Sequence, residues 1–575
     1  MKILKNYEIE AVYLFFTFFV LYLYSEFNYF LFLTFLLIFL IIFNLKLNIK
    51  IQSICYFLSA SFCLNFESFK HPLIYNHAFR QTQNAISARY MAQNSLSLFN
   101  PLPHIGVNTK APFELPLLQI LSASLQKAGV SEVYALRPLS WIIFVIFNIT
   151  LFFYVISITQ NTSLGNFLLI VFTFHPLFLK YSNAFMIEFI PHIFGILSLI
   201  FLQTDKKKYS TIFLSLSLLA KITTGIIYFF IFFLFDLNKI YKNSLKIRFN
   251  INLLFPYIIS IFSISVWLIL EENIKNSSKF SAWLKGSSMK NWNFGSIDKY
   301  SDLDSYIVIL KRLLENFGIL YPNYILGALV FLALILYEKK IGILLLVPIV
   351  FLNLYLVHDY YLLAIFPIAV FLIGLKLFKN NEKINIFILL FFIMLAHLNY
   401  QVSTRFDEYQ NLNLMQSKLS LDNFETGLIQ VLNEKEFQNH NNIYLAATFY
   451  DWNPTLFFYT NKYGIMAKDQ IFKGNKEIEY FDFQNNDIEI FIFQDSDFDY
   501  LEFDLYREHI YKSEFDFIKI QKFEINSTLP ELYSQNLKFF IATPQNNFDS
   551  NFKIFSTKKD AFDQEKRAFL EYLSE

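Results

Sequence analysis

Apolar residues in this chain fall in long runs, and each run ends in a lysine cluster or a polar loop. The runs lie at about 9–25, 29–45, 51–67, 134–157, 165–181, 185–203, 210–235, 252–271, 319–337, 342–357, 360–377 and 384–400. An α-helix of about 20 residues matches the hydrocarbon thickness of a bilayer, and backbone polar groups inside a bilayer must be satisfied within the segment. The pattern therefore predicts an α-helical polytopic membrane protein. Composition agrees, because 55% of the 575 residues are hydrophobic and only 17% charged, against roughly 45–50% and 25% in soluble domains. Phenylalanine and tyrosine are abundant everywhere, at 72 and 35 residues, so single aromatics carry little functional signal.

Lysine clusters at Lys46–Lys50, Lys206–Lys208, Lys239–Arg248, Glu338–Lys340 and Lys376–Lys383 orient the spans, since cytoplasmic loops carry the positive excess. Placing all five inside requires an even number of crossings between neighbours. The run 210–235 must then hold two crossings turning near Lys221, which makes 13 spans; undivided, it makes 12. The polar loop Phe69–Val133, the 272–318 loop, the His358–Asp359 turn and the C-terminal region all fall on the opposite, extracytoplasmic side. The runs 165–181 and 342–357 are short and punctuated by polar residues, so they are expected to be broken and to line a cavity. The turn YSNAFMIE, 181–188, follows the first of them. The N-terminal MKILKNYEIEAVYLFF lacks a small-residue cleavage site and reads as a retained helix. Cys55 and Cys63 would stand about 12 Å apart on one helix, too far for a disulfide.

From 401 onward the character changes. This region holds 17 Lys/Arg against 29 Asp/Glu, so the membrane body carries the compensating positive charge. Strand-like IYLAATFYDW, EIFIFQDSD and KFFIAT, with an Asn-Pro opening a helix before TLFFYTNKYG, predict a small α/β domain. The expected organisation is two N-terminal membrane helices over 1–50, a membrane domain over 51–400 with a large first loop over 68–133, and a soluble α/β domain over 401–575. No Walker loop, GxGxxG, HExxH or CxxC occurs. The basic runs sit at membrane edges, which points away from nucleic acid.

Short connections suffice between membrane helices, so the long first loop is the natural place for a site. It holds His77, Arg80, Gln81, Gln83, Arg89, Lys110 and Glu114. An enzyme that uses a lipid-phosphate donor needs a base for the acceptor hydroxyl, cations or a metal for the leaving phosphate, and a groove for the lipid. Around the loop the only carboxylates are Glu67, Glu114 and Glu132, with Glu188 on a membrane turn. Glu114 lies between two prolines and reads equally as a functional carboxylate or as one serving a helix start. An intramembrane carboxylate such as Glu188 is a functional candidate by default; the alternative is an ion pair with Lys180 or Lys221. Lys221 interrupts an apolar run and can snorkel or bind phosphate. Arg80 offers a bidentate fork, whereas Arg89 and Arg137 read as interfacial. Gln81 and Gln83 suit sugar hydroxyls. His358, Tyr360 and Tyr361 open a membrane helix with Asp359 as a cap. His175 and His192 read as core residues. His77, His104, Glu114 and His358 are the possible ligands of a divalent metal, without the tight spacing of a metal site.

The succession HAFRQTQNA, KAPFELPLLQ, FMIE, LAKITTG and VHDYYLLAIFP resembles bacterial relatives of the dolichyl-phosphate-mannose–protein mannosyltransferases. These are GT-C-fold enzymes, similar also to the aminoarabinose transferases of lipid A. The resemblance spans about residues 50–400, with a weaker match in YDWNPTLFFYTNKYG. It implies transfer of a sugar from a polyprenyl-phosphate carrier, with inversion, to a glycan, lipid or protein acceptor at the periplasmic face of a bacterial inner membrane. Lipopolysaccharide modification and protein glycosylation both belong to that range. It also implies two helices in the first loop lying along the membrane, about 78–96 and 112–128. One departure stands out: typical members carry an acid early in this loop, where this chain has Tyr75-Asn76-His77. The base is then His77, Glu114 or Glu188, while Arg80 and Lys221 hold the phosphate and Gln81, Gln83, Lys110, His358, Tyr360 and Tyr361 line the substrate groove. The rival classes are a lipid-linked oligosaccharide polymerase or ligase, a transporter or flippase, and a non-catalytic envelope scaffold.

Overall fold

The computed structural model describes residues 13–15, 17, 36–42, 47–70, 73, 77–106, 108–242, 251–278, 281–316, 344, 346–380, 442–446, 454–467, 490–494, 517–525 and 537–544. The expected runs 9–25, 29–45, 319–337 and 384–400 fall mostly or wholly outside these residues, as do Tyr75 and Asn76. The principal helices are α1 (Ile49–Asn65), α2 (Ala78–Gln93), α3 (Leu117–Lys127), α4 (Arg137–Thr159), α5 (Thr162–Phe174), α6 (Pro176–Tyr181), α7 (Ile190–Gln203), α8 (Lys207–Ala220), α9 (Ile222–Lys242), α10 (Ile251–Asn276), α11 (Leu303–Asn316), α12 (Leu352–Val357), α13 (Leu362–Asn380) and α14 (Thr455–Thr460). The chain divides into two units. The first comprises Met1–Asn76, Phe113–Glu272 and Gly286–Ser417; the second comprises His77–Pro112, Asn273–Lys285 and Lys418–Glu575.

In the first unit, Glu132–Thr159, Leu254–Asn276 and Asp359–Lys376 are long and apolar enough to cross a membrane. Thr162–Phe174, Ile190–Gln203 and Ile222–Leu234 are shorter apolar helices. Where the sequence predicts interrupted spans, the chain is interrupted. The run 165–181 breaks between α5 and α6 at His175, because a residue before proline is pushed out of the helical region. His175 is extended, at φ −71° and ψ 132°, and its Nδ1 accepts from Leu177 N at 3.2 Å to cap the next turn. The run 342–357 is broken at Phe351, between a short helix Leu346–Val350 and α12. The run 210–235 is two helices joined at Lys221, which alone is extended, at φ −163° and ψ 112°. This tight hairpin needs Gly225, since a Cβ there would come within 2.5 Å of the Leu218 backbone. One predicted boundary shifts: the run 185–203 becomes helical only at Ile190, where Pro191 suits a first turn.

Phenylalanines form the core of this unit. Phe147 stacks on Phe172 and Phe189 at 5.8 and 5.4 Å between centroids, and Phe178 meets Phe366 at 5.7 Å. Serines join the helices by bonding carbonyls of their neighbours, as small polar residues do in membrane bundles. Ser217 Oγ donates to Pro191 O at 2.8 Å, and Ser210 Oγ to Ser198 O at 2.6 Å.

The second unit contains α2, the segment after it, α14 and a sheet. Strands β1 (Asn442–Ala446), β2 (Tyr463–Ala467), β3 (Ile490–Gln494), β4 (Phe517–Ile525) and β5 (Leu537–Pro544) are ordered β2-β1-β3-β5-β4. β1 runs parallel to β2 and β3, while β5 is antiparallel to β3 and β4. The sheet is thus mixed. Three of its strands occupy the runs expected from the sequence; β2 and β4 were not anticipated. The α-helix that would follow Asn-Pro is α14, whose N-cap is Pro454. Most of the chain between the other strands lies outside the described residues, so the expected α/β layering is seen only as this sheet and α14.

Candidate functional site

Residues 182–189 of the first unit are irregular, yet every one of them is buried. Backbone without secondary structure normally stays at a surface where water satisfies it, so a buried turn requires specific partners. Part of the backbone is satisfied locally, with Ser182 N donating to Phe178 O at 2.7 Å and Met186 N to Ala184 O at 2.7 Å, and side chains hold the turn and the end of α6 at three points. At its start, Ser182 Oγ and Asn183 Nδ2 both donate to Asn65 Oδ1, at 2.6 and 2.7 Å, and Arg137 Nη1 donates to Asn183 Oδ1 at 3.0 Å. Just before it, on α6, Lys180 Nζ donates to Asp359 Oδ2 at 3.0 Å and Tyr181 OH to Asp359 Oδ1 at 2.6 Å. At its end, Lys221 Nζ donates to both carboxylate oxygens of Glu188.

The last contact is the centre of the site. Glu188 is 3% exposed and Lys221 9%, so each charge depends on the other for compensation. Lys221 occupies the extended residue between α8 and α9, and its ammonium also lies 4.9 Å from the Tyr360 ring centroid and 4.5 Å from that of Tyr361. Aromatic faces stabilise a desolvated cation in this way. Thr223 and Thr224, in the first turn of α9, are buried, and their hydroxyls have no hydrogen-bond partner among the described residues. The Tyr355 hydroxyl on α12 is in the same condition, with its ring 5.8 Å from that of Tyr361. Leu115 N, next to Glu114, donates to Leu219 O at 2.9 Å. The Glu114 segment is therefore fastened to the end of α8, two residues before Lys221.

Within the first unit, then, Glu188, Lys221, Tyr360 and Tyr361 are brought together, and the backbone beside Glu114 joins them. Glu114 itself is half-buried and stands ahead of α3, which begins only after Pro116. His358 stacks on Tyr360 at 5.1 Å and faces Trp292 at 6.1 Å. His192 is a core residue: its ring nitrogens lie 2.9 Å from Tyr228 OH and 2.8 Å from Leu363 O. Arg137, read as interfacial, is buried and bonded to Asn183. Asp359 reaches across to α6 rather than only closing its own helix, a role that no local pattern in HDYY announces.

In the second unit, His77 is half-buried at the start of α2 with a left-handed backbone, φ 63°. Arg80 Nη1 donates to Gln83 Oε1 at 2.6 Å, while Gln83 Nε2 has no hydrogen-bond partner among the described residues. Gln81 and Gln83 are both buried. Lys110 is exposed and forms a β-bridge with Pro101. Arg89, read as interfacial, instead donates to Phe458 O at 2.6 Å with its guanidinium 4.2 Å above the Phe458 ring. Thr82 Oγ1 lies 3.3 Å from Thr455 Oγ1, and Gly464 N donates to Pro103 O at 2.8 Å. Much of the early loop thus serves to hold the 454–464 segment. His104 is fully buried beside Phe457, and burial pushes its pKa down to about 3. Among the described residues no group of three or more His, Cys, Asp and Glu is placed to hold a metal ion, so His77, His104, Glu114 and His358 form no such cluster.

The loop helices expected at about 78–96 and 112–128 are α2, Ala78–Gln93, and α3, Leu117–Lys127. No family model matches the chain, and no curated protein does. Similar solved structures include ArnT from Cupriavidus metallidurans in the apo state, with a TM-score of 0.48, 10% identity, and coverage of 85% of this chain and 98% of that one. The same enzyme bound to undecaprenyl phosphate has a TM-score of 0.48 and 9% identity, with the same coverage.

Proposed function

We propose that this chain is an integral membrane glycosyltransferase of the GT-C type, moving a sugar from a polyprenyl-phosphate carrier to an envelope acceptor on the extracytoplasmic side. The observation that carries the reading is the Glu188–Lys221 pair, held on a wholly buried turn against a helix break and two tyrosine rings. A structural ion pair in a bundle needs neither the irregular backbone nor the unsatisfied hydroxyls of Thr223 and Thr224. An anion arriving at the start of α9 would meet those hydroxyls, the positive end of the helix dipole and the Lys221 ammonium. The five motifs that resemble the mannosyltransferase relatives supply the donor class.

In this reading the acceptor hydroxyl oxygen attacks the anomeric carbon as the bond from that carbon to the phosphate oxygen breaks. The electron pair leaves on the lipid phosphate, and Lys221 stabilises the growing charge. The hydroxyl proton passes to a carboxylate or imidazole. Glu188 has both oxygens engaged by Lys221, so it becomes available only when the phosphate draws the ammonium away. Glu114 and His77 are the other two candidates, and Arg80, Gln81, Gln83 and Lys110 are proposed for substrate contacts.

The test is transfer itself. Purified protein in nanodiscs is incubated with radiolabelled polyprenyl-phosphate sugars and membrane extract, and the label is followed to glycan, lipid or protein. Label should leave the carrier with wild-type protein and remain there with Lys221→Met. Glu114→Gln and Arg80→Ala should also lose transfer without losing membrane expression. Label that stays on every carrier tried, with folded wild-type protein, sinks the reading.

A further inference from the structure

We propose that Asp359 is a positioning residue, forming with Lys180 and Tyr181 a clasp that seats Tyr360 and Tyr361 against the Lys221 ammonium. The inference deepens the proposed reading and rests on it where Lys221 is taken to hold the donor phosphate. The aromatic pair sits on the three-residue 3-10 helix Asp359–Tyr361, which is too short to fix its own orientation. On the other side, α6 is only six residues long and lies between the His175 break and the buried turn that carries Glu188. Each segment is a single short helical turn with few backbone hydrogen bonds of its own to anchor it, and the clasp ties one to the other.

The geometry uses both oxygens of one carboxylate. Asp359 Oδ1 accepts from Tyr181 OH at 2.6 Å and Oδ2 from Lys180 Nζ at 3.0 Å. All three groups are buried, at 7%, 1% and 5% exposure for Asp359, Tyr181 and Lys180, so bulk water has little access to these bonds. Tyr181 meets the Tyr360 ring edge-on at 6.5 Å, and Tyr360 packs on Tyr361 at 4.5 Å. A continuous series of contacts thus runs from the clasp to the rings beside Lys221. With the clasp gone, the tyrosines can turn away, leaving the ammonium less well placed for an anion.

Single charge removal can unfold the protein by stranding the partner charge, so the main variant removes every polar group at nearly constant volume: Lys180→Met, Tyr181→Phe and Asp359→Leu together. Two readouts are taken on full-length protein in nanodiscs. One is the fluorine resonance of a fluorotyrosine placed at Tyr361 alone, which senses the cation beside its ring. The other is affinity for short-chain polyprenyl phosphate without a sugar. The triple variant should melt like wild type, move the Tyr361 resonance toward its position in the Glu188→Gln, Lys221→Met double variant, and bind the lipid phosphate about tenfold more weakly. Asp359→Asn paired with Lys180→Met, which keeps the Tyr181 bond and strands no charge, should recover part of both. Should the triple variant fail to fold, Tyr181→Phe alone and the Lys180→Met, Asp359→Asn pair must each shift the resonance. A folded clasp variant with the wild-type resonance overturns the proposal. If wild type itself binds no polyprenyl phosphate, the transferase reading falls, and the resonance still decides the clasp.

Discussion

Two regions of this molecule place polar residues in apolar surroundings, and they do so by different means. In the first unit, the 180–189 segment sets charge against charge: Lys180 with Asp359, and Glu188 with Lys221. In the second, α2 meets the 454–464 segment through a hydroxyl pair, a guanidinium on a carbonyl and an aromatic face. The first arrangement is fragile in a particular way, because removing one partner leaves a bare buried charge. The second loses only a local contact when one partner goes. Irregular backbone with matched buried charges is characteristic of sites, and a regular helix docked by ordinary bonds is characteristic of scaffolds.

Mutations can sharpen or break that contrast. Lys221→Met should cost about 3–5 kcal/mol by stranding Glu188, seen as a large drop in melting temperature. Adding Glu188→Gln should recover most of the stability without recovering transfer. A double variant as unstable as the single one would mean that charge pairing is not what the turn depends on. Gly225→Ala tests the backbone of the same region, and overpacking against Leu218 should cost about 1–3 kcal/mol. Unchanged melting would show that the hairpin at Lys221 has room to relax.

More local effects are expected in the second unit. Arg89→Ala should cost about 1.5–3 kcal/mol, the range for a hydrogen bond from a charged group. Its effect should be confined to faster hydrogen exchange around Phe458, with no change near Lys221. His104 gives a change that is absent at neutral pH and appears only on acidification. Its folded pKa is about 3, lowered by burial, so below about 6.5 the unfolded chain takes up a proton that the folded one refuses. Its contribution is complete above that pH and declines by up to about 1.4 kcal/mol per unit as pH falls toward 3. His104→Phe should flatten this dependence, as followed by thermal unfolding from pH 7 to 4.

Several parts of the site were legible because the signal is local. A carboxylate in FMIEFI and a lysine between two apolar helices are conspicuous against their neighbours, as are the breaks at short, polar-punctuated runs. His175 before Pro176 could be read directly as a helix stop. Asp359, Arg137 and Asn65 gave no such signal. Asp359 lies 179 residues from Lys180, and Asn65 lies 118 from Asn183. No periodicity or spacing links residues that far apart. The partners of Arg89 were hidden for the same reason, since its carbonyl acceptor lies 369 residues away.

What the sequence determined by itself, among the described residues, is most helix courses, the breaks at His175, Lys221 and Phe351, and which charges are costly to bury, because these follow from apolar run length, proline and desolvation. Only the tertiary structure decided which charges neutralise each other, since a buried ion pair depends on distance in space. It decided too that the Glu114 backbone is fastened two residues before Lys221 and that Asp359 faces α6. Those choices turn scattered polar residues into one candidate site.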